Sequence, residues 1–175
     1  RMPDLSTFVG GGYPFTVQPD LAETAILMPA TADAATVEAY LALMGRFGDS
    51  TGAPVTRAVV TRTVDEGRLQ AKDILVIGPA SLAGSMELFR GAPVQFDQQR
   101  LHVTQRGMLE RTFALFSGYD KQSEEAQSLL YRTDHFTGMT GFESPFDSGR
   151  SVIAVLATDT DDLPGMIAEL DDVEF

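Results

Sequence analysis

Short unbroken apolar runs alternate along this chain with longer segments whose apolar residues return every three or four positions. Thr24 to Met28 is the first run, stopped by Pro29, and reads as a buried strand. Asp33 is then placed to cap a helix. Val37, Tyr40, Leu41, Met44 and Phe47 fall on one face of it, and Gly48 is a natural stop, which predicts a helix over 34–47. Val55 to Thr63 is β-branched and runs to a turn at Asp65-Glu66-Gly67. Ile74 to Ile77 is a third apolar run, stopped by Gly78-Pro79. Ser81 can cap a short helix carrying Leu82, Met86 and Phe89. Val152 to Ala157 is the last strand. After Asp159 to Asp162 comes a helix over 163–171, with Pro164 in its first turn and Leu163, Met166, Ile167 and Leu170 on one face. Strand, helix, strand, strand, helix within 90 residues predicts a layered α/β sheet with parallel pairs. Unbroken apolar strands predict that both of its faces are covered.

The other segments are less regular. Residues 5–20 read as irregular, with Gly10-Gly11-Gly12 as a flexible joint and Tyr13-Pro14-Phe15 as two aromatics around a rigid proline. This predicts an arm or linker over 1–22, laid by its aromatics over an α/β domain spanning 23–175. Val94 to Phe96 and Leu101 to Val103 flank Asp97-Gln98-Gln99-Arg100 and predict an inserted hairpin. Met108 to Phe116 fits neither a helical nor a strand period. Residues 118–135 are polar, with a short helix around Glu124 to Tyr131.

Composition narrows the function classes. At 175 residues the chain is one domain, and a domain of this size buries ~70% of its unfolded surface without disulfide or metal. The net charge of −12, with 13 basic residues scattered singly, argues against nucleic acid and against anionic lipid as partners. The absence of cysteine excludes thiol catalysis and thiolate metal sites. No apolar run approaches the ~20 residues of a membrane-spanning helix, and no signal peptide is present. The abrupt start at Arg1-Met2 and the end at Glu174-Phe175 suggest a fragment cut from a longer protein.

Candidate chemistry is sparse. A flavin or nucleotide site at the first strand wants a loop rich in Ser, Thr and Gly, whose backbone N–H groups wrap a phosphate. The loop here is Pro29-Ala30-Thr31-Ala32-Asp33, without glycine and with a carboxylate that repels phosphate. No phosphate loop of the nucleotide-hydrolase type occurs. His102 and His135 are the only histidines and stand in unrelated contexts, which does not make a metal site. Ser117-Gly118 lacks the surroundings of a nucleophile elbow, and Asp161-Asp162 and Asp171-Asp172 read as helix-end charges. Arg57 with Arg62, and Arg106 with Arg111, are too far apart for a cyclic diguanylate motif. The residues therefore predict no enzyme, no cofactor and no metal.

Three stretches together carry a resemblance. The first runs from Pro3-Asp4-Leu5 through Tyr13-Pro14-Phe15-Thr16 to Asp20-Leu21 and Thr24. The second is Ala39-Tyr40-Leu41 with Met44-Gly45-Arg46-Phe47-Gly48 and Thr51-Gly52. The third is Gly141-Phe142-Glu143-Ser144-Pro145-Phe146 with Gly149-Arg150-Ser151-Val152. They resemble the C-terminal half of the regulatory B subunit of bacterial cellulose synthase, over nearly the whole chain. The resemblance implies a flavodoxin-like three-layer sandwich with a mostly parallel sheet, the second such domain of a periplasmic protein held to the inner membrane by one C-terminal helix. It implies the catalytic subunit of the synthase and neighbouring domains of the same polypeptide as partners, with cellulose as a further candidate, and it supplies no catalytic residues. Members of that family are often described as binding cyclic di-GMP. The resemblance places that receptor on the catalytic subunit, in agreement with the missing arginine motif. The function expected is a non-catalytic scaffold supporting cellulose synthesis and translocation, with a glucan-binding module as the alternative and a flavin or nucleotide domain third. The lack of tryptophan and the four tyrosines count against glucan binding, which favours exposed aromatic platforms. Tyr13, Phe15, Phe142, Pro145 and Phe146, in segments read as arm and loop, are the candidate interface residues.

Overall fold

A computed structural model describes residues 3–90, 92, 94–97, 100–103 and 135–170. Its centre is a five-stranded sheet. The strands are β1 (Thr24–Leu27), β2 (Val59–Thr61), β3 (Asp73–Pro79), β6 (Thr137–Glu143) and β7 (Ser151–Ala157), in the order β2-β1-β3-β7-β6. The pairs β1–β2, β1–β3 and β3–β7 are parallel, and β6 closes the far edge antiparallel to β7. Strands β4 (Val94–Asp97) and β5 (Arg100–Val103) form the expected hairpin as a separate two-stranded sheet. The run Val152–Ala157 lies inside the sheet, as its unbroken apolar character requires.

Alternate residues of the strands feed two cores. Ile26, Leu75, Ile77, Ile153 and Val155 point to one face, under helices α2 (Ala34–Thr51) and α5 (Leu163–Glu169). Ala25, Leu27, Ile74, Val76, Val152, Ala154 and Leu156 point to the other, which packs against Leu69 of α3 (Glu66–Leu69), Leu82 and Ala83 of α4 (Ser81–Ser85), and Phe89. The result is the three-layer α/β sandwich that the alternation of elements predicts.

Several local expectations need correction. Residues 5–20 are not irregular. Asp4 caps helix α1 (Leu5–Gly11) by accepting from the Ser6 amide at 3.0 Å, and the helix ends on Gly12 in the left-handed conformation at φ +74°. A Cβ on Gly12 would stand 2.7 Å from the Phe47 ring, so the stop is also a close approach. Leu5, Phe8, Val9 and Phe15 belong to the first core. Phe8, Phe15 and Phe47 meet with ring centroids 5.8 to 6.1 Å apart. Arg46 of α2 donates to the Val9 carbonyl. Helix α2 runs past Gly48 and stops at Gly52. Its buried face is Thr36, Ala39, Leu43 and Phe47, which leaves Val37 39% and Leu41 59% exposed. These four are three or four positions apart and share one stripe of the helix, and Val37 and Leu41, one stripe over, are turned outward. Ser81 is the first residue of α4 rather than its cap.

The segment 141–146, read as a loop, begins as strand: Gly141, Phe142 and Glu143 close β6, and 144–146 lie in the turn after it. Gly138 and Gly141 lower the strand propensity of β6, and the structure shows why they are there. A Cβ on Gly141 would lie 2.8 Å from Pro3, and one on Gly138 would lie 2.9 Å from the Phe136 ring. The expectations for Met108–Phe116, Ser117-Gly118, the Arg106/Arg111 pair and the helix at 124–131 fall outside the described residues.

Candidate functional site

In an open α/β sheet a ligand is expected beyond the carboxyl ends of the strands where the strand order reverses, here between β1 and β3. There the chain's own groups pair with one another. Both oxygens of Asp33 are engaged, one by the Thr36 amide at 2.8 Å and the other by the Thr160 hydroxyl at 2.6 Å. The Thr160 hydroxyl and then the Thr36 amide hold the Asp33 carboxyl below its ordinary pKa. Contact with Thr160 brings the run Asp159-Thr160-Asp161-Asp162 against the start of α2, so a phosphate there would meet several carboxylates instead of free N–H groups. Gly78 brings β3 close to Pro29, where an added Cβ would lie 3.0 Å from the proline ring. The Ala80 amide donates to the Ala157 carbonyl at 2.7 Å, which ties the ends of β3 and β7 together.

The opposite, amino edge is built differently. Arg150 stands at the end of the β6–β7 turn, whose loop is shaped by Asp147 accepting from the Gly149 amide at 2.8 Å and by Ser144 accepting from the Phe146 amide at 3.3 Å. Arg150 Nη1 donates to Glu23 Oε2 at 2.7 Å and to Asp73 Oδ2 at 3.1 Å, and Asp73 Oδ1 accepts from the Ser151 amide at 2.8 Å. Three strand starts are thereby joined: Glu23 precedes β1, Asp73 opens β3 and Ser151 opens β7. The side chains of Asp73 and Arg150 are only 10% and 24% exposed, and the Glu23 hydrogen bond raises the pKa of Arg150 further. Over this ion-paired floor lies a cleft of about 180 Å³, walled by Tyr13, Pro14 and Phe15 on one side and Gly149, Arg150 and Ser151 on the other, with Gln18 at its rim. The Tyr13–Pro14 peptide is cis. Two stretches that carry the family resemblance, more than 130 positions apart in the sequence, meet in this cleft.

The five candidate interface residues separate. Phe15 is buried in the first core and Phe142 in the second, where it meets the Phe89 ring at 5.4 Å, so neither is on the surface. Phe146 is half-buried against the second core. Tyr13, at 37%, and Pro145 are exposed. Sequence reasoning gave no role to Glu23, Asp73 or Arg150, because their partnership joins residues 77 and 127 positions apart. It also missed the exposed stripe of Val37 and Leu41, which with Ala34 and Ala42 lines a shallow apolar depression. Among the described residues no helix is long and apolar enough to cross a membrane, and no cluster of metal-ligating side chains occurs.

Comparison with known proteins agrees with this architecture. Residues 1–155 match the family model described as cellulose synthase BcsB, second FD domain. A protein named cyclic di-GMP-binding protein from Pseudomonas fluorescens (strain SBW25) is 30% identical over 158 residues, 88% of this chain and 21% of that protein. A protein of the same name from Komagataeibacter xylinus is 29% identical over 175 residues, 95% of this chain and 21% of its own length. Putative cellulose synthase 3 of Komagataeibacter xylinus is 31% identical over 176 residues, 97% of this chain and 11% of that protein. The chain thus spans about a fifth or less of the length of these relatives.

Proposed function

Because the chain belongs to the family of second FD domains of cellulose synthase BcsB, we propose that it is a non-catalytic scaffold domain of a bacterial cellulose synthase complex, working in the periplasm beside the catalytic subunit. The observation that carries this reading is the self-paired, acidic carboxyl edge. The position where this topology holds a phosphate-bearing cofactor is taken by the Asp33–Thr160 pair and the carboxylates around it. The surface offered for contact is instead the outer side of α2, where Val37 and Leu41 are exposed. Since the relatives extend far beyond the matched region, the contact expected there is with the rest of the same polypeptide or with the catalytic subunit.

Calorimetric titration of the chain with flavin mononucleotide and with cyclic di-GMP is expected to give no saturable heat, and stoichiometric micromolar binding of either would overturn the reading. In the full-length protein, Leu41→Glu is expected to leave the melting temperature within about 2 °C, as surface substitutions do. It should reduce co-purification of the catalytic subunit and cellulose output together. Unchanged assembly and output would remove the α2 face from the proposal.

A further inference from the structure

We infer that the outer face of α2 docks a basic amphipathic helix, one whose apolar residues are flanked by Lys or Arg. The inference rests on the scaffold reading for the place of contact and deepens it by naming the partner's chemistry.

The apolar part of the face is a ridge beside an open groove. Val37 and Leu41 stand four positions apart and are both exposed. Ala34, Ala42 and Gly45 next to them are exposed too and carry nothing longer than a methyl group. A Cβ added at Gly45 would meet nothing within 4 Å, so no other part of the chain occupies the groove there. A row of residues four apart, beside a groove of small residues, is the surface against which a second helix packs with its axis about 8–10 Å away. The 18 residues of α2 make a bed about 27 Å long, enough for several turns of such a helix.

Charge selects the partner. The exposed charged residues of α2 and α5 are all acidic: Glu38 and Asp49 on α2, and Glu169 on α5. Asp161 and Asp162, exposed just ahead of α5, continue the series. Glu38 borders the depression around Val37 and Leu41, and Asp49 extends their row at the same four-residue spacing. The cation of α2, Arg46, is partly buried and donates to the Val9 carbonyl of α1. A second copy of this chain, laid face to face, would set these carboxylates against one another. Anionic lipid or nucleic acid would meet them with phosphates. Lys and Arg on either side of an apolar ridge satisfy both parts of the face. Their methylene stems cover Val37 and Leu41, and their charged heads reach the acidic rim.

The test places p-benzoylphenylalanine, a photoreactive side chain, at position 41 of the full-length protein, purified both alone and with the catalytic subunit. After irradiation the attached peptide is mapped by mass spectrometry. An equal mixture of light and heavy isotope-labelled protein separates contacts within one polypeptide from contacts between two copies. The expected result is a dominant adduct on a helical segment with Lys or Arg within one turn of the attached apolar residue. Glu38→Lys combined with Asp49→Lys is expected to lower the adduct yield at least about fivefold. Glu66→Lys, on α3 across the sheet, is expected to leave the yield unchanged. No adduct in either preparation would overturn the inference. So would an adduct on a second copy of this chain, or a yield unmoved by the double reversal. An adduct on a segment of the catalytic subunit without basic residues would also overturn it while leaving the scaffold reading in place. Failure of the catalytic subunit to co-purify bears on the scaffold reading, and the protein irradiated alone still reads the contact at α2.

Discussion

The two ends of the sheet use the same kinds of side chain to opposite effect. At the carboxyl end, Asp33 spends both oxygens on the chain's own Thr36 and Thr160, which leaves its carboxylate little capacity for a ligand. At the amino end, Asp73, Glu23 and Arg150 also bind one another, yet they do so at the floor of a cleft and keep part of their hydrogen-bonding capacity. The strand order alone points to the carboxyl end as the place to look for a ligand. Side-chain satisfaction points to the other. Topology states where a fold permits a site, and the hydrogen-bond ledger of individual groups states whether one is there.

Four substitutions separate the two ends by size of effect. Phe47→Ala should be the most damaging, because Phe8, Phe15 and Phe47 together pin the segment that forms the Tyr13 wall of the cleft. A loss of about 3–5 kcal/mol, on the order of 10 °C in melting temperature, is expected in thermal denaturation. A small loss would mean that the wall is held otherwise. Arg150→Ala leaves the largely buried Asp73 without its cation. Solvent reaching the site reduces the penalty from that of a fully buried pair, and about 2 kcal/mol is expected in urea denaturation.

At the carboxyl end, Asp33→Ala should cost about 1 kcal/mol as a lost helix cap. This effect is expected to depend on pH. The folded state lowers the carboxyl below its ordinary value of 3.8, so the stabilisation is complete above that value and fades as pH falls through the lowered one. Denaturation curves of the wild type and of Asp33→Ala should therefore converge in acid, and a constant difference across that range would contradict the assignment. Tyr13→Ala, at the amino end, should change stability by no more than about 0.5 kcal/mol while removing the wall of the cleft.

The parts of the fold legible in the sequence are those where one physical signal dominates. Val152–Ala157 reads as an inner strand because both of its faces are covered, and Asp33 reads as a cap because little else explains it there. Helix α2 was legible as a helix and misleading in its face. Apolar residues occupy most of its circumference, and the period cannot say that Ala39 turns inward while Leu41 turns out. The N-terminal helix and β6 were hidden by their glycines, which serve close approaches to Phe47, Pro3 and Phe136 rather than turns alone. Of the amino-edge cleft, Tyr13-Pro14-Phe15 and Gly149-Arg150-Ser151 were singled out, each in its own stretch, with no sign that they meet. The floor depends on pairings that no local pattern contains.

The pairing of Ile74 with Val152 has a consequence for the order in which the molecule is made. Strands β1, β2 and β3 can assemble once residue 79 has emerged, but the free side of β3 has no partner until β7 arrives, 78 positions further along the chain. Loop-closure entropy makes that wait only modestly expensive at equilibrium, about 0.6 kcal/mol for each doubling of loop length. Kinetically it is a period in which an apolar strand presents unpaired N–H and C=O groups to whatever is nearby. During synthesis, the nascent intermediate is thus most vulnerable to intermolecular strand pairing along Ile74–Ile77, and that vulnerability ends when the last strand enters the sheet.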